Sequence, residues 1–557
     1  MGVKVVIFVL SLCIFESIEK KNKIHSRVAD ENGPIVNIED GAILGRVDKT
    51  VDQNKTYLAF QGIPYAKPPI GDLRFRPPVP NDKWNGTLNA TREGSSCVQG
   101  ILPVTGSEDC LFINVYTTNL TGSRPVMAWI HGGAFLFGNS SYQKFGPDYI
   151  LDEDIVHVQF NYRLGVFGFL STMDEACPGN NGLKDQCLAL KWVKKNIRHF
   201  GGDPDKVTLY GESAGSASVS YQLQSACAKG LFRAAIMESG SSLCLWALTR
   251  DPRATAFKIG ESLKLNTSDS NLMVEGLRMI NATILQQASL ILSTGDLVAD
   301  PLAGLQFSPV IEPHHEGAFF YNYSDLLLSE GQFHRVPTII GMNSNEGAVA
   351  GDIPELLRLY LVNFDLNPSL LAPADLTNSS YKRDIAALLI KYHYFNILPL
   401  SFQTDSVIKF ISDDQFNRPI RRMVIDMSRY SPVYFYMFSY EGLLGGVEGE
   451  RSLKGVGHTE ELGYIFRSYV NGRVSSSDVT MRKRMIRMWT NFAKYGQPTI
   501  ERDPLLQNLD WPRAQPRNLV YMDINSRMTI RRNPFESDMR FYDRIYRLYG
   551  SPPYNTY

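Results

Sequence analysis

Val207-Thr208-Leu209-Tyr210-Gly211-Glu212-Ser213-Ala214-Gly215 is the stretch that decides the fold. A short β-branched and aromatic run meets G-x-S-x-G, and the small residues Ser216, Ala217 and Ser218 follow as the opening of a helix. Such a strand-to-helix turn lifts Ser213 clear of the sheet. Gly211 and Gly215 permit it because any larger side chain would separate two backbones that must nearly touch. The helix start also brings free N–H groups and a partial positive charge to the serine. An ordinary strand–helix turn is the competing reading, and the preceding strand argues against it.

Working outward, apolar runs recur and end at turns. Val126–Ile130 leads into a glycine pair, Ile155–Phe160 into Asn161, Thr338–Ile340 into Gly341, and Val433–Phe438 follows later. Helix-period segments lie between them. From Leu183 to Phe200, the residues Leu183, Cys187, Leu190 and Ile197 share one face. Continuous apolar strands alternating with helices predict an α/β protein with a mostly parallel sheet covered on both faces. The stretch from about Glu261 to Asn378 reads mainly as helices and loops over one sheet edge. No repeat, low-complexity tract or linker divides the chain, so one domain over 21–557 is expected.

A serine nucleophile needs a base, an orienting carboxylate and donors for a developing oxyanion. His131-Gly132-Gly133-Ala134-Phe135 follows the strand Val126–Ile130 and is a loop of the kind whose backbone N–H groups can face an oxyanion. A generic glycine-rich turn is the alternative.

The 557 residues carry 57 Lys+Arg against 57 Asp+Glu, for no net charge. Without a basic excess or a Lys/Arg-rich run, nucleic-acid binding is not expected. No metal or cofactor site is expected either: there is no C-x-x-C, and the adjacent His314 and His315 would point apart in extended backbone. The run Gly442–Gly449 lacks a phosphate-loop Lys-Ser/Thr and reads as a flexible approach to His458.

At the N-terminus, Lys4 precedes an apolar stretch from Val5 to Phe15, too short to cross a bilayer and of signal-peptide length. Residues 1–20 are therefore read as a signal peptide cleaved near Phe15 to Lys20, and the protein as secreted, without a stable membrane anchor. The C-terminal SPPYNTY carries neither a retention signal nor a lipid-anchor tail. Nine N-x-S/T sequons agree with secretion, at Asn54, Asn85, Asn89, Asn119, Asn139, Asn266, Asn281, Asn322 and Asn378.

The chain resembles the type-B carboxylesterases, the α/β-hydrolase family that includes cholinesterases, juvenile hormone esterases and the non-catalytic neuroligins. The motifs that carry the resemblance are Phe60–Pro78, Ser107–Tyr116, Asn181–Pro204, the Gly211–Gly215 turn and Gly341–Gly347. It implies an α/β-hydrolase fold and hydrolysis of small-molecule carboxylic esters through an acyl-enzyme. It assigns Ser213 as nucleophile, Glu346 as acid and His458 as base, with an oxyanion hole at Gly133, Ala134 and Ala214. The family more often has glycine where Ala134 stands. Glu212 is read as tuning the pocket, Ser239 and Glu461 as a hydrogen-bond set steadying His458, and Arg74 with Glu108 as a structural salt bridge. Activity is expected to fall as His458 protonates, around pH 6–7.

The resemblance further implies a Cys97–Cys110 disulfide. The loop it closes holds no aromatic residue, so the tryptophan cation site of cholinesterases is missing and choline esters are disfavoured. Ala303–Phe307 is read as part of a roomy acyl pocket. A second family disulfide ends in C-L-R; here that reads Gly276-Leu277-Arg278, so the bridge is absent. Cys177, Cys187, Cys227 and Cys244 leave three pairings open, with a preference for Cys227–Cys244 that leaves Cys187 free. Juvenile hormone esterases usually carry Gln at the position of Glu212, which leans the reading toward a general carboxylesterase. A neuroligin-like adhesion domain is the alternative of a different class; the retained Ser213, Glu346 and His458 and the lack of a membrane-spanning run argue against it.

Overall fold

Among the residues described, eleven strands form one sheet. They are β1 (Arg46–Lys49), β2 (Thr56–Pro64), β3 (Phe112–Thr117), β4 (Arg124–Ile130), β5 (Val156–Phe160), β6 (Gly202–Glu212), β7 (Ala234–Glu238), β8 (Thr338–Asn343), β9 (Val433–Phe438), β10 (Val520–Ile524) and β11 (Thr529–Arg532). Across the sheet they run β11-β10-β9-β8-β7-β6-β4-β5-β3-β2-β1. Every pair from β10 to β5 is parallel and the flanking pairs are antiparallel. The structure is a computed structural model describing residues 33–300, 302, 304–350, 361–396, 398–445, 454–467 and 474–557. The expected signal peptide over 1–20, Ala303, and residues 446–449 of the glycine-rich run lie outside them.

Parallel neighbours require crossovers, and helices supply them. Helices α1 (Asn181–Asn196), α2 (Ala214–Gln224), α3 (Thr404–Ser412) and α4 (Arg418–Met427) are joined by α5 (Ser476–Tyr495). Alternation along β4 assigns the two faces: Val126, Ala128 and Ile130 pack with residues of α1, α2 and α4, whereas Met127 and Trp129 pack with Met485 and Trp489 of α5. With both faces covered, all of β9 is buried, which is why its sequence VYFYMF is apolar without a break. The helix expected from Leu183 to Phe200 is α1 followed by a 3-10 turn, Ile197–Phe200. Strand β6 starts five residues before the expected Val207; its polar opening, Gly202–Lys206, is separated from the core register by a bulge against β4.

The Cys97–Cys110 disulfide is present. The preference for Cys227–Cys244 is corrected: Cys227 is bonded to Cys187, and Cys177 and Cys244 are free and buried. The reason is spatial. Helices α1 and α2 lie side by side, tied by Gln186 Nε2 to Ser218 Oγ at 3.0 Å and Gln222 Nε2 to the Leu183 carbonyl at 3.0 Å. The turn after α2 therefore delivers Cys227 to Cys187, while Cys244, beyond β7, turns to Ser241 Oγ at 3.6 Å. Arg74 and Glu108 form the expected salt bridge, two contacts of 2.6 and 2.5 Å. Arg74 Nη1 also donates to the carbonyls of Leu277, Arg278 and Ile280, gathering the end of the helix Ser270–Met279 where the family disulfide is missing.

Candidate active site

Ser213 stands between the end of β6 and the start of α2 with φ 57° and ψ −123°. A non-glycine residue there stores about 1–3 kcal/mol of strain, which the surroundings must hold. They do so through glycines. A Cβ on Gly215 would lie 2.1 Å from the Ile130 carbonyl oxygen, one on Gly211 would lie 2.6 Å from the Gly215 carbonyl carbon, and one on Gly240 would lie 2.4 Å from the Ser213 carbonyl oxygen. The Ser213 N–H donates to the Glu238 carbonyl at 2.9 Å.

Three side chains distant in sequence meet at this turn. His458 Nε2 is 2.8 Å from Ser213 Oγ, across 245 positions, and His458 Nδ1 is 2.7 Å from Glu346 Oε2. Glu346 lies three residues beyond the end of β8, and its Oε1 accepts the Asn343 N–H at 2.6 Å, which fixes the carboxylate's angle. The Asn343 side chain donates to the Gly457 carbonyl at 2.7 Å, pinning the backbone beside His458 to the end of β8. The ring of Phe416 lies 4.7 Å from the imidazole and that of Trp246 lies 5.9 Å from Phe416.

The loop after β4 faces the serine. A Cβ on Gly132 would lie 3.1 Å from Ser213 Cβ, and one on Gly133, at φ 108°, would lie 2.0 Å from the Phe137 carbonyl oxygen. Ala134 adopts φ 54°, so its methyl group sits in a left-handed conformation usually left to glycine, at a cost of about 1–2 kcal/mol. The N–H groups of Gly133, Ala134 and Ala214 make no hydrogen bond with described residues, which leaves them available to an oxyanion. His131 is scaffold: it stacks on Tyr162 at 4.5 Å, its Nδ1 meets the Gly132 carbonyl at 2.8 Å, and burial pushes its pKa down to about 4.

Glu212 Oε1 lies 3.2 Å from His458 Nε2. Burial opposes a charge on His458, but Glu212 and then Glu346 outweigh it and push its pKa up to about 9. Burial also raises the Glu212 carboxyl well above the usual carboxylate range, while the charge of His458 opposes that rise, so carboxyl and imidazole exchange support as either one ionises. Glu461 is reached by Asn343 Nδ2 at 2.5 Å, and burial, then the charge of Glu346, raise it to about 7. Ser239 is buried beside Glu238 with its hydroxyl unpartnered among described residues; the link to Glu461 runs through Asn343 instead. Within Ala303–Phe307, Phe307 is buried.

Sequence reasoning missed Asn343, Phe416 and Trp246. Asn343 could have been suspected as a polar residue ending an apolar strand. Phe416 belongs to a π-helical turn, Asp413–Asn417, between α3 and α4, and no sequence period announces such a turn.

A hydroxyl, an imidazole and a carboxylate in line, on a mostly parallel sheet with free N–H groups alongside, define a hydrolase of the α/β-hydrolase fold. The chain belongs to the carboxylesterase family: the model of the Carboxylesterase family matches residues 32–542. It is 35% identical over 515 residues to Venom carboxylesterase-6 of Apis mellifera, covering 88% of this chain and 89% of the relative. It is also 35% identical over 536 residues to Juvenile hormone esterase of Tribolium castaneum, covering 88% of each chain. Among solved structures, Juvenile Hormone Esterase from Manduca sexta, with OTFP covalently attached, superposes with a TM-score of 0.81 at 30% identity, over 92% of this chain and 99% of the other. The protein is a carboxylic ester hydrolase.

Proposed function

We propose that Ser213, His458 and Glu346 carry out this hydrolysis through an acyl-enzyme, with Gly133, Ala134 and Ala214 as the oxyanion hole. The observation that carries the reading is His458 standing 2.8 Å from Ser213 Oγ on one ring nitrogen and 2.7 Å from Glu346 on the other. With the proton held on Nδ1 and hydrogen-bonded to Glu346, Nε2 presents a lone pair to the serine hydroxyl. As Oγ attacks the ester carbonyl, Nε2 takes its proton, and the oxyanion is met by three N–H groups. The intermediate collapses, the alcohol leaves with the proton from Nε2, and water repeats the sequence to release the acid. Each oxyanion donor contributes about 3–4 kcal/mol at the transition state. Labelling by a fluorophosphonate, lost in Ser213→Ala, together with p-nitrophenyl butyrate hydrolysis, tests the assignment.

The substrate reading is a general carboxylic ester rather than a choline ester, given the short non-aromatic Cys97–Cys110 loop. Hydrolysis of a juvenile-hormone-like ester is the second reading, favoured by the two juvenile hormone esterases described above; a panel of p-nitrophenyl, methyl terpenoid and choline esters separates them. The protein is proposed to be secreted as one domain, 21–557, after loss of residues 1–20. Two disulfides support this, as do the exposed sequon asparagines Asn54, Asn85, Asn89, Asn119, Asn266, Asn281 and Asn378; Asn139 and Asn322 are half-buried. No described helix is long and apolar enough to cross a membrane. A mobility shift on glycosidase treatment of protein collected from the culture medium tests secretion.

A further inference from the structure

Beneath the serine turn, on the α5 face of the sheet, four adjacent strands carry one row of residues in register. Glu212 at the end of β6 is in register with Glu238 at the end of β7, Glu238 with Gly341 on β8, and Gly341 with Tyr436 on β9. Gly341 is the gap that lets the row close: a Cβ there would lie 2.1 Å from the Tyr436 ring, so that ring lies across the glycine on the side of Glu238. Glu461 roofs the row from above Asn343. From α5, Trp489 Nε1 donates to Glu238 Oε1 at 2.7 Å, and its ring stands edge-on to Tyr436 at 5.3 Å.

Glu238 is fully buried, and its second oxygen, Oε2, has no hydrogen-bond partner among the described residues. Neither do Tyr436 OH and Glu461 Oε1, and Glu212 Oε1 lies outside hydrogen-bond geometry. The charged groups that act on Glu238 are Glu461 and Glu212, both acidic; Glu238 in turn acts on the phenols of Tyr210 and Tyr436. Among the described residues no cation offsets it, and His458 acts on Glu212 and Glu461 rather than on Glu238. His458 offsets only two of these three buried carboxyl groups, so the three do not all ionise together and protons are shared among them. Buried carboxyl oxygens left without donors are also what an internal water satisfies, since it brings the donors they lack.

We propose that Glu238 is a positioning residue of the esterase reaction: as a neutral acid anchored by Trp489, it donates its proton, directly or through a bridging water, to Glu461, and so keeps a carboxylate charge within reach of His458. The role acts through Glu461 and involves no contact with substrate. Without that donor, Glu461 takes up a proton itself, the negative charge near the imidazole falls, and the imidazolium formed in the reaction loses support. The inference rests on the Ser213–His458–Glu346 reading above.

The test compares Glu238→Leu with Glu238→Gln, whose amide can still accept from Trp489 and donate to Glu461. In E238L, kcat for p-nitrophenyl butyrate is expected to fall about tenfold with little change in KM, and the acid limb of kcat/KM to move to lower pH by about half a unit or more. E238Q is expected to recover most of both. A loss of packing alone would lower kcat or stability and leave the limb in place, so an unmoved limb in folded E238L overturns the proposal, as does E238Q failing to recover. Should E238L not fold, infrared spectra of wild type and E238Q at pH 7 decide: the carbonyl band of a protonated carboxylic acid is expected to weaken in E238Q, and an unchanged band overturns the proposal. Fluorophosphonate labelling of the wild type keeps the two readings apart. Its absence would sink the triad, whereas labelling with an unmoved limb would sink only Glu238.

Discussion

Glu212 Oε1 approaches His458 Nε2 to 3.2 Å, on the same nitrogen that faces Ser213 Oγ at 2.8 Å. The shorter contact takes the lone pair in the resting enzyme, so Glu212 and His458 are charge neighbours rather than a hydrogen-bonded pair. Once Nε2 carries the serine proton, Glu212 is the carboxyl group beside it.

The pH profile follows from that relationship. His458 must be neutral to accept a proton, so activity is lost as pH falls through its pKa, which the neighbouring carboxyl groups place above the free-imidazole value of 6.5. The acid limb is therefore expected above the range of 6–7 that sequence reasoning gives. Glu212→Gln removes one of the groups that raise His458, so its pKa drops and the limb moves to lower pH, while kcat falls about tenfold for want of imidazolium support. A kcat/KM profile from pH 5 to 9 checks this; a limb that stays put or moves alkaline contradicts it.

Ser213→Ala is expected to lower kcat about a million-fold, because the triad acts as a unit and its members are not additive. The alanine must also adopt φ 57°, a conformation the serine already holds, so the melting temperature should change little. Residual turnover near wild type would contradict the assignment.

The parts of this molecule that were legible in its sequence are those where local pattern and tertiary role coincide. Strand β9 is readable to its last residue because burial on both faces leaves nothing polar in it. The serine turn is readable because steric need writes Gly211 and Gly215 two positions to either side of Ser213; the Gly215 approach to Ile130 shows how strict that need is. Glu346 and His458 have no such local mark. They converge on Ser213 from 133 and 245 positions away, and resemblance to a family assigned them, not periodicity. Phe416 stayed hidden because a π-turn breaks the 3.6-residue rhythm, and the polar opening of β6 because its pairing with β4 passes through a bulge.

Phe416 carries a specificity prediction. Its ring lies 4.7 Å from His458 and faces Trp246, whose Nε1 donates to the Gln415 carbonyl at 3.2 Å, so the two rings wall one side of the space beside the imidazole. Phe416→Leu shortens that wall. Relative to butyrate, kcat/KM for p-nitrophenyl octanoate is expected to rise about three- to tenfold, the scale of one or two methylene groups in an apolar pocket. An unchanged ratio would place acyl-chain recognition elsewhere.

The Cys187–Cys227 disulfide gives the last prediction. It closes 40 residues, and a crosslink of that span stabilises by restricting the unfolded chain, by about 4 kcal/mol in the loop-entropy account. Helices α1 and α2 keep their own contacts without it, through Gln186, Ser218 and Gln222. Cys227→Ala should therefore leave KM and kcat close to wild type while lowering the urea midpoint, with an unchanged slope if only stability is affected. Peptide mapping without reductant is expected to recover the Cys187 and Cys227 peptides joined, and Cys177 and Cys244 alkylated only after unfolding, since both are buried. A joined Cys227–Cys244 peptide would mean that the turn after α2 folds toward β7 rather than toward α1, and the packing of those two helices would have to be redrawn.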